Sequence, residues 1–410
     1  MQFGNVLVYV LSFFGLFTAL FFLLTLMENK HELKSPKCKR LPRVSVIVPA
    51  YNEEKTIART IKSLLNLDYP KDKLEIIVVD DGSTDDTYKI AEKFKGIELF
   101  RKENEGKGVA LNFALKRCKG EFVGALDADS FVEKDSLRNM VGFFEDEEVM
   151  AVTPSLKVYR PKKLLEKVQQ IEYLIGVFLR KIFAFLGSIH VTPGPFTIYR
   201  KKFFDTYGGY ATNNITEDIE IALRIQSKKF KIENSVDANV YTVAPYNFRV
   251  LLKQRVRWYL GFINNTLDYR DLFGIQHGNL GVFILPASFF SVALVIVSLF
   301  YFVYTFVTRT IIQNYLNISS INFDISKLFK FDFDIFYFDV STIVILSFFS
   351  LLVGVFMIYV AKKISKEKSS IKVNYLFYLV MYWFLFGFWW ITAFGYKILG
   401  KGVKWGNKTI

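Results

Sequence analysis

The chain has two cysteines in 410 residues. Cys38 and Cys118 are too few for a disulfide framework and fit a reducing compartment. No Gly-x-Gly-x-x-Gly follows the first strand pattern, which disfavours dinucleotide binding of the usual kind. The formal net charge is +14, yet no nucleic-acid motif accompanies it. The lysines lie beside apolar runs, where they would meet anionic lipid headgroups instead. No internal repeat or low-complexity linker interrupts the chain. No basic residue precedes the first apolar run and no convincing small-x-small site ends it, so it reads as an uncleaved anchor and not a signal peptide.

What the sequence has in excess is hydrophobicity, at 51% apolar and 17% aromatic residues, unevenly spread. Residues 6–27 carry no charge and are long enough to cross a bilayer, as are 279–308, 340–361 and 373–394. Between the first two runs the composition is that of a soluble domain. The expected division is an N-terminal transmembrane helix (1–30), a globular domain (43–260) and a C-terminal transmembrane region (279–398) of about three spans. Segments 163–187 and 247–275 are candidate interfacial helices. Residues 171–186 are strongly apolar but interrupted by Glu172, Arg180 and Lys181, and a buried core helix is the other reading. Lys30, Lys34, Lys37, Lys39, Arg40 and Arg43 follow the first run. The positive-inside rule therefore puts the N-terminus outside and the domain in the cytoplasm of a multi-pass cell-membrane protein. One tension remains: three later spans leave the tail outside, whereas Lys397, Lys401, Lys404 and Lys408 favour the inside. Pro286 marks a place for a bend or an extra short crossing.

Within the globular part, strand and helix patterns alternate. Strands are expected at 44–48, 74–79, 97–100 and 121–126, with helices at 53–65, 85–94 and 107–117. That spacing implies an α/β domain with a mostly parallel sheet and helices on both faces. The last strand ends in Asp127-Ala128-Asp129. Residues two apart in an extended chain share a side, so both carboxylates leave the carboxyl edge of the sheet, where open α/β folds bind ligands. They repel each other unless a hard divalent ion, held to a diphosphate, lies between them. Glu105-Gly106-Lys107-Gly108 opens a helix whose amides and Lys107 suit a phosphate, without the spacing of a Walker loop. Thr216 has N-cap character, with Glu217 and Asp218 in the first turn of a helix to about 227; acids there also simply stabilise a helix, by about 0.3–1 kcal/mol. Gln254, Arg257 and Trp258 share a helical face, a pattern that also suits an interfacial Arg-Trp anchor.

In order along the chain, Val48-Pro49-Ala50-Tyr51-Asn52-Glu53, Val79-Asp80-Asp81-Gly82-Ser83-Thr84-Asp85 and Asp127-Ala128-Asp129 resemble the nucleotide-sugar domain of family 2 glycosyltransferases with the GT-A fold. Thr216-Glu217-Asp218 and Gln254-Arg255-Val256-Arg257-Trp258 resemble signatures of its processive branch, the cellulose, chitin, hyaluronan and poly-N-acetylglucosamine synthases. The resemblance covers about residues 43–260. It implies a nucleotide-sugar site at Pro49, Ala50, Tyr51 and Glu53, with Asp80 or Asp81 on the uracil or ribose and Lys107 near a phosphate or base carbonyl. It implies Mg2+ or Mn2+ at Asp129, with Asp127 second, through metal or ribose. Asp218 becomes the general base, which desolvation must tune toward working pH, and Arg257 neutralises the leaving diphosphate. Gly194, in the stiff loop 191–196, lies with Glu217, Gln254 and Trp258 on the acceptor side; His190 beside that loop reads as structural.

With one base and no second carboxylate nucleophile nearby in sequence, the resemblance implies a metal-dependent inverting hexosyltransferase. It would extend a polysaccharide from a nucleotide sugar, UDP-linked as in UDP-GlcNAc, and feed the chain into the membrane. The partners implied are the donor, a polysaccharide or lipid acceptor and the membrane, with no nucleic acid. A partner subunit or a second copy would widen a narrow four-span bundle. Two other readings stand beside it: transfer of one sugar to a polyprenyl phosphate or other lipid, and a non-catalytic membrane scaffold with a degenerate nucleotide-sugar domain.

Overall fold

A computed structural model describes residues 3–312, 341–367, 372–401, 404–405 and 408–409. The 313–340 part of the anticipated membrane region lies outside the described residues, as do 402–403 in its lysine-rich tail. The chain opens with α1 (Phe3–Glu28) and continues through β1 (Val44–Ala50), α2 (Ile57–Leu65), β2 (Leu74–Asp81), α3 (Thr87–Glu92), β3 (Glu98–Lys102), α4 (Lys107–Leu115) and β4 (Phe122–Ala125). Then come β5 (Ser130–Val132), α5 (Arg138–Val141), β6 (Val149–Val158), α6 (Leu164–Phe185), β7 (Thr197–Arg200), α7 (Lys201–Tyr207), α8 (Glu217–Ser227), β8 (Lys231–Thr242) and α9 (Phe248–Asp268). The strands form one sheet of eight in the order β3-β2-β1-β4-β7-β6-β8-β5. β1 pairs in parallel with β2 and β4, β2 with β3, and β6 with β8; β7 and β5 run against their neighbours. The sheet is mostly parallel, as anticipated, and mixed in its second half.

Alternation along β1 shows how the sheet is covered. Val46 and Val48 pack with Ile57, Ile61 and Leu64 of α2, while Ile47 points the other way, onto Ala110, Leu111 and Ala114 of α4. Successive side chains leave opposite faces of a strand, so two cores form, one on each face.

Two boundaries differ from the sequence expectation for definite reasons. β1 continues through Pro49 to Ala50. Ile47 offers its carbonyl to Leu126 on the β4 side, so Pro49, two residues on, faces the same side, where the β1–β4 pairing has already ended at Ala125. Its missing N–H costs no ladder bond there. The following helix starts at Ile57 and not at Glu53. Asn52 adopts φ 56°, and the Glu53 amide donates to Thr87 Oγ1 at 2.7 Å, so residues 52–56 belong to a loop tied to the start of α3.

Four described helices are long and apolar enough to cross a membrane: Phe3–Glu28, Leu280–Thr308, Thr342–Ile364 and Phe377–Ile398. They contain α1, α10 (Leu285–Thr305), α11 (Thr342–Ile364) and most of α12 (Lys372–Ile398). A π-helical segment, Leu280–Ile284, leads into α10, with Pro286 in its first turn. The wider turn absorbs the proline within one continuous helix. Phe13, Phe17, Phe300, Phe348 and Phe349 are exposed on these helices, the outward apolar surface that lipid would cover. α6 lies between the sheet and the bundle: Ile171, Leu174 and Phe178 are buried, and Phe178 and Ile182 pack with Ala361 of α11. Lys366, just past the end of α11, and Lys397, in the last turn of α12, both reach the globular unit, through Lys366–Asp237 at 2.6 Å and Lys397–Asn264 at 2.6 Å.

Candidate active site

The carboxyl ends of β1, β2 and β4 deliver the anticipated residues to one edge of the sheet. Asp127 and Asp129 follow β4 directly. Lys107, the first residue of α4, donates to Asp127 Oδ1 at 2.7 Å and to Glu217 Oε1 at 2.8 Å. One ammonium thus joins the carboxylate after β4 to the first turn of α8, a pairing between segments far apart in sequence. Gly194 lies against the same pair. A Cβ there would stand 2.9 Å from Lys107 Nζ and 3.1 Å from Asp127 Oδ2, so the loop is glycine because the ion pair occupies the space of a side chain.

That loop is fixed from behind. Thr192 donates its hydroxyl to the Asp218 carbonyl at 2.7 Å and its amide at 3.2 Å, and Tyr199 donates to Thr192 Oγ1 at 3.0 Å. Thr216 takes the N-cap position of α8, but its side chain makes no capping bond. Its hydroxyl instead accepts from Asn265 Nδ2 of α9 at 2.9 Å, and it packs over Gly261, where a Cβ would fall 2.1 Å from Oγ1. The anticipated capping role is corrected: the threonine locks α8 to α9. Arg257, also on α9, donates to the Ile215 carbonyl at 3.0 Å, which brings its charge to Glu217 and Asp218.

The electrostatics follow from this crowding. Burial, then Glu217, pushes the Asp218 carboxyl up to about 6, while Lys107 and Arg257 hold it back. Burial opposes ionisation of Glu217 too, but Lys107 and Arg257 keep its carboxyl below the ordinary value. Burial alone would lower the Lys107 ammonium; Asp127, Glu217 and Asp218 outweigh it and hold the lysine above its usual range. Asp129 is pushed up to about 7 by burial, Asp127 and Glu53, against a bond from Ser130. Glu53 is raised by burial first, with Asp127 and Asp85 adding.

Does this edge fit a divalent cation? Burial first, then repulsion from Asp127 and Glu53, raises Asp129, and a cation beside the carboxylates would relieve the repulsion. Among the described residues no three His, Cys, Asp or Glu side chains converge as a cage. The carboxylate oxygens of Asp127 and Asp129 are hard donors of the kind that suit Mg2+ or Mn2+, with the remaining oxygens left to a diphosphate and water.

The nucleotide-side residues are arranged differently from one another. Pro49 and Tyr51 are half-buried, whereas the Ala50 side chain is in the core, leaving only its backbone for a ligand. Asp81 accepts from Lys102 Nζ at 2.8 Å, the Gly106 amide at 2.9 Å and the Glu105 amide at 3.2 Å. It braces the turn that carries Lys107. Asp80 pairs with Arg101 Nε at 3.1 Å and accepts from the Ser83 amide at 3.3 Å. Gln254 and Trp258 are half-buried on α9, and Gln254 Oε1 is buried without a hydrogen-bond partner among the described residues. His190 is held between Phe183 and Phe262.

Sequence reasoning passed over two contributors. Asn52 accepts from the Thr84 amide at 2.9 Å and its own amide donates to Ser83 Oγ at 3.0 Å, joining the β1 and β2 loops. Its signal was an asparagine just past the end of β1, a residue type that tolerates positive φ. Arg255, inside the Gln-x-x-Arg-Trp segment, is fully buried against Glu172, and nothing in the sequence paired those two.

A mostly parallel sheet with paired acidic groups at its carboxyl edge, an acid-rich helix start and an apolar helical bundle defines a membrane-associated transferase of the GT-A type. Residues 45–208 match the profile described as Glycosyl transferase family 2. A poly-beta-1,6-N-acetyl-D-glucosamine synthase of Staphylococcus aureus (strain COL) is 32% identical over 286 residues, covering 67% of this chain and 68% of that protein. The Staphylococcus epidermidis protein of the same name is 28% identical over 365 residues, covering 87% and 84%. Among solved structures, a mannosyltransferase of Pyrobaculum calidifontis in complex with GDP-Man and Mn2+ is 27% identical, with a TM-score of 0.51 over 64% of this chain and 75% of that one. The chain belongs to glycosyl transferase family 2 and is a glycosyltransferase.

Proposed function

We propose that this chain is a processive, inverting N-acetylglucosaminyltransferase that adds sugar from UDP-GlcNAc to a growing polysaccharide and passes the chain into the membrane. The name of the staphylococcal relatives supports N-acetylglucosamine and a β-1,6 linkage. The observation that carries the reading is the Lys107 bridge between Asp127 and Glu217, which ties a donor-side carboxylate to the acceptor-side helix start. Pro49, the Ala50 backbone, Tyr51, Glu53 and Asp80 line the nucleotide side, and Asp81 acts there by bracing the turn before Lys107. Asp129 and Asp127 would hold Mg2+ or Mn2+, which when bound neutralises charge on the donor diphosphate. Asp218 takes the proton of the acceptor hydroxyl as that oxygen attacks the anomeric carbon from the face opposite the leaving diphosphate. An α-linked donor then gives a β-linked product. Arg257 balances charge beside the carboxylates, while Gly194, Glu217, Gln254 and Trp258 bound the acceptor.

In this reading 1–30 and 279–398 are the membrane parts, 43–260 is the catalytic unit on the cytoplasmic side with the N-terminus outside, and 163–187 and 247–275 lie at the interface. The Lys366 and Lys397 contacts support a course in which α11 and α12 both end on the catalytic side. That course keeps the lysine-rich tail inside and makes one of the two helices less than a full crossing. A partner subunit or a second copy would complete so small a bundle. Incubating the purified full chain with UDP-GlcNAc, UDP-glucose, UDP-glucuronate and GDP-mannose tests the donor. Release of nucleotide diphosphate with UDP-GlcNAc alone is expected; GDP release at a higher rate would reject the assignment.

A further inference from the structure

Arg255 is the residue of the Gln254–Trp258 segment that the proposed chemistry leaves unused, and it is fully buried. Its Nη2 donates to Glu172 Oε2 of α6 at 2.7 Å, and Glu172 also accepts a bond from Tyr382 of α12. Among the described residues its Nε and Nη1 find no hydrogen-bond acceptor. Instead the guanidinium stands 4.2 Å from the Trp258 ring centroid and 5.6 Å from that of Trp389. A buried ion pair is poorly suited to adding stability, because apolar residues of the same volume do as well or better. A planar guanidinium does something a hydrocarbon does not: it holds an aromatic ring at a fixed distance and tilt. The two arginines of the segment thus diverge, Arg257 toward the carbonyl before α8 and Arg255 onto the indole.

We propose that Arg255, anchored by Glu172, is a positioning residue that sets the plane of Trp258 for the acceptor sugar; the role rests on the polymerising reading above. A stacking platform works only when its tilt is fixed, since a small displacement of the acceptor hydroxyl from the donor carbon is costly in rate. Glu172 and Tyr382 join α6 and α12 to the same guanidinium, so the platform takes its orientation from three helices at once.

The test is a set of purified full-length variants assayed with UDP-GlcNAc and N-acetylglucosamine oligosaccharides. Arg255→Met combined with Glu172→Leu removes the pair with little change in volume. It is expected to keep the wild-type urea midpoint, UDP affinity and acceptor-free donor hydrolysis. It should raise the acceptor KM on the order of tenfold and shorten the product. Arg255→Lys, which keeps the charge without the planar stack, should raise acceptor KM less. In a Trp258→Ala background, Arg255→Met should add less than about twofold, because its effect runs through that ring. A wild-type acceptor KM and chain length in the folded double variant would overturn the proposal, as would a full tenfold addition in the Trp258→Ala background. Should the double variant fail to fold, a wild-type acceptor KM in Arg255→Lys overturns it equally. Polymer formation by the wild-type chain in the same assay reports on the underlying reading separately.

Discussion

Replacing Lys107 with Met removes the charge that joins the two sides of the site while keeping most of the side chain's length. Lys107 stands 2.7 Å from Asp127 and 2.8 Å from Glu217, so its loss leaves two carboxylates facing each other. Breaking a fully buried pair costs about 3–5 kcal/mol. Here the lysine side chain is 24% exposed and Asp127 30% exposed, and solvent screening reduces the expected loss to about 2 kcal/mol. The effect on chemistry has a definite sign. Lys107 is among the groups that hold the Asp218 carboxyl down near 6 against burial and Glu217. Without it that carboxyl rises further. A general base works ionised, so the acid limb of the pH–rate profile should move upward and activity near pH 6 should fall several-fold, recovering toward pH 8. Glu217→Gln removes an influence of the opposite sign and should move the limb downward. The assay is acceptor-dependent UDP release across pH 5–9 at saturating donor, with urea unfolding in parallel. If both variants shift the limb the same way, or neither shifts it, the electrostatic account of Asp218 is wrong.

Asp129→Asn keeps shape and removes a charge that a divalent ion needs. Turnover should fall by about a hundredfold or more with the fold intact by circular dichroism, and a chelator should do the same to the parent protein; full turnover in chelator would remove the metal role. Trp258→Ala deletes the acceptor platform at a cost on the order of 1 kcal/mol beyond lost area. It should shorten the product on gel filtration while donor hydrolysis persists, and normal chain length in folded protein would reject the platform. Asp81→Asn weakens the three bonds that brace the Lys107 turn; donor KM should rise several-fold while acceptor KM holds.

What the sequence could reveal followed from local pattern. The β-branched run before Pro49, the Asp80–Ser83 turn and the Asp127-x-Asp129 pair each mark the end of a strand of the parallel half of the sheet, and the near-continuous apolar runs before them, buried on both faces, are strong enough to read. The later strands were not legible. β7 is four residues long, and β8 carries Glu233, Asn234, Ser235 and Asp237 through its middle, which masks the alternating burial of Val236, Ala238 and Val240. One helix start failed where a side chain of α3 intervened: Glu53 lies outside α2 because Thr87 binds its amide; α8 does start after Thr216, but the threonine hydroxyl goes to Asn265 of α9 and makes no cap bond. The candidate residues were found by type and order, but their connections were not. Lys107 with Glu217, Arg255 with Glu172 and Thr192 with Asp218 are long-range pairs, and no spacing rule in one sequence can assign them.

The account turns on Asp218 as the base of a polymerising transfer, and sizing the product addresses that directly. Purified full-length protein in detergent with Mg2+ or Mn2+ and radiolabelled UDP-GlcNAc should yield high-mass polymer that a β-1,6-specific hexosaminidase degrades. Asp218→Asn should yield none while binding UDP within a few-fold of wild type by calorimetry. Label found only in a lipid-linked monosaccharide, or polymer made equally well by Asp218→Asn, would contradict it.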